Sequence, residues 1–300
     1  MPTDTTAQPA LATLLAQLEE IWNHVDTLLG PLTPADWQRK HGKDWIFADL
    51  PYHLAYYDRD TVAEPIRKGL NLPADEQKLM RTMGELDAWN ARKFAERPTG
   101  QSVGESLAQM RASRDAVRQA VAGYTDADLD RRVFIHLVGC GWVTVRLALQ
   151  SCLVHTWAHF TEARLRLNKD RPIPSQAITH TSLGFFLGML PMMISRDKMR
   201  ARPFTAVMSI GGPGGGDWTV RIADGTCNVT EQRDGKADIV MTHRDAETFI
   251  TTMRGMQNPM LAMLTGKIRV RGFHNMGRFG TLFAEPKPDQ VLEPAFSAAN

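Results

Sequence analysis

The apolar residues of this 300-residue chain change their period partway along it, and that change dictates two architectures in series. Leu11, Leu14, Leu15, Leu18, Ile21, Trp22, Val25, Leu28 and Leu29 recur at the three-then-four spacing of one helical face, and Gly30-Pro31 stops the pattern. Past residue 200 short β-prone runs take over: Phe204 to Ile210, Trp218 to Ile222, Thr226 to Glu231 and Ala237 to Thr242. They are separated by the glycine cluster Gly211 to Gly216, by Asp224-Gly225 and by Asp234-Gly235, all hairpin signals, so four strands in a meander are predicted. A helix over Asp245 to Met253, another over Pro259 to Leu264, a fifth strand over Lys267 to Gly272 and a closing helix over Asn275 to Phe283 complete this half.

In the helical half, a long helix begins near Phe47 and runs toward Arg67, with Pro65 ending or kinking it. Its inward face is Leu50, His53, Leu54, Tyr57 and Thr61. Leu86 to Glu96, Ser102 to Val121 and Val143 to Leu167 read as further helices. The expected organisation is multidomain: an all-α four-helix bundle over residues 1–170, an apolar connector helix over 171–200, and a small α+β domain over 201–300. The connector's apolar run, Leu183 to Ile194, has 12 residues and contains Pro191, well short of the roughly 20 needed to span a bilayer.

Charge narrows the function classes. Lys plus Arg number 35 against 33 Asp plus Glu, a formal charge of +2 that lacks the basic excess of a nucleic-acid binder. Three cysteines, Cys140, Cys152 and Cys227, form no Cys-x-x-Cys pair, and an odd number in so large a chain fits a reducing compartment. The first 30 residues carry Asp4, Glu19 and Glu20 and lack a signal-peptide pattern, so a cytoplasmic location is expected.

His155 and His159 lie four apart on the last bundle helix, so their imidazoles share a face and can bind one metal. Taken alone, such a pair is more often two ordinary histidines. Both, however, stand in the apolar seam with Val145, Leu149 and Cys152, where unpartnered imidazoles are costly. His53 holds the equivalent inward position of an earlier helix and is the candidate third ligand. Tyr57 and Asp58 lie near it and are candidates for proton transfer or for supporting a ligand. Cys152 is a fourth-ligand or thiol candidate, although a small core residue is the plainer reading. The glycine cluster lacks the Gly-Lys-Ser/Thr ending of a phosphate loop and reads as a hairpin.

Trp45 to Leu54, with His53, resembles the segment opening the second helix of DinB-like bundles, and Thr144 to His159 resembles their closing His-x-x-x-His helix. The similarity takes in Asp87 to Asn90. It implies a divalent metal, commonly zinc or nickel, on His53, His155 and His159, with open coordination positions. The mycothiol-dependent maleylpyruvate isomerases look similar in architecture, but they use a glutamate where this chain has His155. The all-histidine set instead looks like the thiol S-transferase branch. The tail, through Ala237 to Thr242 and Met263 to Gly272, resembles the sterol carrier protein family, which implies a sheet and helices around an apolar tunnel.

The leading expectation is therefore a metal-dependent transferase or isomerase using a low-molecular-weight thiol on a small electrophile. The resemblance adds that the second domain contributes a positive group, with Arg254, Arg269 and Arg271 as the catalytic candidates. A lipid or sterol carrier or sensor with a structural metal, and a metal-dependent hydrolase, are the alternatives. Expected partners are a small-molecule substrate, an apolar or lipid ligand in the C-terminal domain, and a second copy in a homodimer.

Overall fold

The computed structural model describes residues 10–41, 45–167, 173–194, 202–284 and 286–296. They form two compact units, one over Pro9–Ile173 completed by Pro288–Val291, the other over Pro174–Lys287. No helix among the described residues is long and apolar enough to cross a membrane.

In the first unit α1 (Leu11–Leu29) buries Leu14, Leu18, Ile21, Trp22, Val25 and Leu28, the face marked by its periodicity. Each such side chain contributes about 1.5–3 kcal/mol on burial, which is why the stripe outweighs the absence of a side-chain cap at Ala10. A short α2 (Pro34–Trp37) follows, started by Thr33, whose hydroxyl accepts from Asp36 N. The long third helix has three parts: α3 (Leu50–Tyr56), a π-helical stretch over Tyr57–Ala63, and α4 (Glu64–Lys68). Pro65 was expected to end or kink it. Instead the helix runs through to Lys68, because the wide turns before it carry the strain. Proline clashes with the carbonyl four residues back, and the π turn opens that spacing, with Glu64 N bonding to Arg59 O.

Next come α5 (Met83–Ala95) and α6 (Val103–Ala120), each opened by a reciprocal capping box, at Thr82 with Glu85 and at Ser102 with Glu105. The final helix, α7 (Val145–Leu167), is buried around most of its circumference and packs along α1 and the π stretch, while α3 packs on α6. The bundle is thus α1, α3–α4, α6 and α7. Before α7 lies a hairpin that the sequence reading passed over: β1 (Arg132–Ile135) pairs antiparallel with β2 (Gly141–Thr144). Its apolar run and its bounding Gly139 and Gly141, both at positive φ, were the available signal.

The second unit opens with α8 (Gln176–Gly188), followed by a 3-10 turn over Leu190–Met193. The apolar run expected as one helix thus begins seven residues earlier and breaks before Pro191. Its five-stranded sheet comprises β3 (Phe204–Ile210), β4 (Gly216–Ala223), β5 (Thr226–Thr230), β6 (Ile239–His243) and β7 (Ile268–Arg271) in the order β5-β4-β3-β6-β7. The predicted meander holds only for β3, β4 and β5. β6 crosses over and pairs parallel to β3, so Asp234-Gly235 is no hairpin turn. Asp234 N instead donates to the Thr219 hydroxyl on β4 and its carboxylate pairs with Arg221, which anchors the crossing segment. Helices α9 (Ala246–Met253), α10 (Pro259–Leu264) and α11 (Met276–Leu282) lie within a residue or so of their predicted spans.

Candidate metal centre

His53 sits one turn into α3 and is 5% exposed; His159, one turn beyond His155 on α7, is equally buried, while His155 is partly open to solvent. The helices bring the three rings together. His53 Nε2 lies 2.9 Å from His155 Nε2 and 3.1 Å from His159 Nε2, and all three ligand atoms lie within 4.8 Å of one another. Imidazoles bind a divalent cation at about 2.0–2.1 Å, which places neighbouring tetrahedral donors about 3.3 Å apart. The two separations from His53 Nε2 are within a few tenths of an ångström of that geometry.

The far nitrogens of His53 and His159 show how their Nε2 atoms can be left free for a metal. Tyr56 Oη donates to Asn90 Oδ1 at 2.9 Å and presents a lone pair to His53 Nδ1 at 2.5 Å, so the proton of His53 belongs on Nδ1. Its Nε2 then carries only a lone pair. His159 Nδ1 faces His41 Nε2 at 3.3 Å, and donation in that direction likewise leaves His159 Nε2 unprotonated. In that tautomer two acceptor atoms lie 3.1 Å apart, an arrangement that a cation between them would relieve. The donor set therefore fits a divalent metal. His41 is 1% exposed between the Trp45 and Phe47 rings, and with His159 and the buried Glu162 it forms a second close group. Glu162 also pairs with Arg166 at 2.8 Å.

Aromatic rings fill the remaining surroundings. Trp45 lies 4.5 Å from His53 and 5.6 Å from His159, Phe94 stacks parallel to His53 at 6.2 Å, and Tyr57 stacks flat on His155 at 3.6 Å. Tyr57 and Asp58 part company here. Tyr57 touches a candidate ligand, while Asp58, 1% exposed, turns into the bundle core, where Cys152 Sγ donates to Oδ1 at 3.2 Å. Burial raises the Asp58 carboxyl to about 7, against the lowering field of Arg114 and the Cys152 hydrogen bond. Cys152 is not a fourth member of the cluster, and burial holds its thiol well above the usual range. Burial also lifts Cys140 and Cys227 to about 12.

Arg254, Arg269 and Arg271 belong to the second unit, where Arg254 follows α9 and the other two are exposed on the sheet-edge strand β7. Sequence reasoning missed His41, Tyr56 and Glu162. Tyr56 was legible as the i+3 neighbour of His53, and Glu162 as that of His159. His41 lies outside any helix and left no periodic signal.

Residues 2–163, more than half of the chain, match the DinB superfamily, and residues 195–279 match the SCP-2 sterol transfer family. Among solved structures, the mycothiol-dependent maleylpyruvate isomerase is similar at 12% identity and a TM-score of 0.46, over 79% of this chain and 87% of that one. A mutant of that isomerase is similar at 11% identity and the same TM-score and coverage. The sec-alkylsulfatase Pisa1 from Pseudomonas sp. is similar at 12% identity and a TM-score of 0.31, over 77% of this chain but only 34% of its own. No curated protein matches the chain in sequence.

Proposed function

We propose that this chain, which belongs to the DinB superfamily, is a metal-dependent enzyme that brings a low-molecular-weight thiol to a small electrophilic substrate. The observation that carries the reading is the convergence of His53, His155 and His159 through Nε2, with Tyr56 and His41 behind two of them. Zinc or nickel suits three imidazoles, and neutral ligands leave the full charge of the ion available to lower the pKa of a coordinated thiol or water. The chain's own part is to hold the ligands and to keep water away from two of them with the Trp45 and Phe94 rings. His155, the most exposed of the three, marks the side from which a substrate approaches. The thiol is external because Cys140 and Cys152 are buried and all three cysteine thiols are held protonated at neutral pH.

Purified protein supplied with zinc and nickel is expected to hold close to one equivalent of metal, and to turn over only with both metal and thiol present. The His53→Ala protein should lose both. Retention of less than about a tenth of an equivalent sinks the metal site. Activity with water alone would instead favour a hydrolase.

The second unit supports a further reading, as a binding module for an apolar ligand, through its match to the SCP-2 sterol transfer family. Met260, Leu261 and Leu264 on α10 are more than half exposed, an apolar surface that a long-chain ligand would cover.

A further inference from the structure

At the end of the bundle away from the histidines lies a cavity of 350 Å³, within the size range of small-molecule sites. Val145 on its floor is ten residues before His155 on α7, about 15 Å along the helix axis, so this cavity is separate from the metal centre. Ile66, Val133 and Val145, each no more than 2% exposed, form an apolar floor. Above it the chain turns at Gly69, whose φ of +53° suits glycine, and packs against β1.

The walls are basic: Arg67, Lys68, Arg131 and Arg132 line the cavity, and no carboxylate does. Acids are nearby but turned elsewhere. Arg67 pairs with Glu64 and Lys68 with Glu76, yet both glutamates line a neighbouring cavity. Arg131 pairs with Asp128 and lies over the Tyr124 ring at 5.2 Å. Arg132 is different. One of its Nη atoms donates to Trp142 O at 3.2 Å, its buried Nε has no acceptor, and no carboxylate pairs with it among the described residues. Arg132 is thus a half-buried guanidinium with no carboxylate partner, beside three cations whose own partners do not line the cavity, and that leaves one positive charge in excess at the site.

We infer that this cavity binds a small phosphate-bearing molecule. The four cationic residues that line it come from α4, from the turn before β1 and from β1 itself, so an anion bound there would have cations on more than one side. Tetrahedral phosphate presents oxygens to all of them, whereas a planar carboxylate presents only two. The apolar floor and the Tyr124 ring would hold the organic part of the ligand.

The probe is pyrophosphate, titrated calorimetrically into the full chain at low ionic strength, with citrate as the carboxylate comparison. Saturable one-to-one binding is expected, weakened by about tenfold or more in Arg132→Gln, as befits a lost charge-assisted hydrogen bond. Arg111→Gln, an exposed cation on α6 outside the cavity, should bind as the parent does. Should Arg132→Gln fail to fold, the Arg67→Gln/Lys68→Gln double variant tests the same site, since both side chains are largely exposed. No saturable binding, binding unchanged in these cavity variants, or equal weakening in Arg111→Gln would overturn the site. Citrate binding as tight as pyrophosphate would overturn the phosphate assignment.

Discussion

With His159 Nδ1 donating to it, His41 would do for His159 what Tyr56 does for His53, setting which nitrogen of a candidate ligand is left for a metal. Such partners typically change metal affinity by 10–100-fold when removed. His41→Phe keeps the ring volume between Trp45 and Phe47 but offers no acceptor. It is expected to fold normally and to bind zinc about ten times more weakly or worse in a competitive chelator titration, with His41→Gln partly restoring affinity through its amide oxygen. Unchanged affinity in His41→Phe would reduce His41 to a packing residue. The three candidate ligands were legible because each lies on an inward helical face, where the period of the apolar neighbours announces its direction. His41 was not, because a residue outside regular structure has no period to be read against, and its approach to His159 spans 118 residues of chain.

Among the elements, the π stretch Tyr57–Ala63 has the most chemical consequence, because it carries Asp58 into the core beside Cys152. The folded-state pKa of Asp58, about 7, lies above the ordinary carboxylate value of 3.8. A raised acid pKa means the folded state binds the proton more tightly, so its ionisation destabilises the fold as pH climbs from about 4 to about 7. Asp58→Asn should therefore match the parent in unfolding free energy from urea titration near pH 4 and exceed it near pH 8, by on the order of 2–4 kcal/mol. A parent protein whose stability is flat over that interval would contradict the burial argument. The π geometry itself was not readable. Pro65 announced a disturbance of the helix, but a proline can be met by a break, a kink or a widened turn, and packing against α6 and α7 favours the one that keeps the helix continuous. Strand positions in the second unit were legible within one or two residues from turn residues and β-branched runs, whereas the partner of β6 was not, because pairing across a crossover leaves no local mark.

For the whole molecule, the two units predict where the chain can be cut. A fragment beginning near Arg202 would keep all five strands yet lose α8, whose Ile178, Leu183 and Leu187 are fully buried and which packs on β4. A fragment beginning at Pro174 is therefore expected to fold cooperatively and to bind an acyl-chain probe. The shorter one should melt lower and bind apolar dyes nonspecifically, since three lost large side chains expose apolar area worth several kcal/mol. Equal melting temperatures would show α8 to be dispensable. The parallel pairing of β3 with β6 has a further consequence during synthesis. β3, β4 and β5 pair with their sequence neighbours and can zip as they leave the ribosome, but the other side of β3 must wait for Ile239–His243. For that interval the nascent chain presents Val207, Met208 and Ile210 along an unpaired strand, the template on which foreign strands dock. Chains truncated between residues 231 and 239 should thus aggregate more readily than the full-length chain in a sedimentation assay.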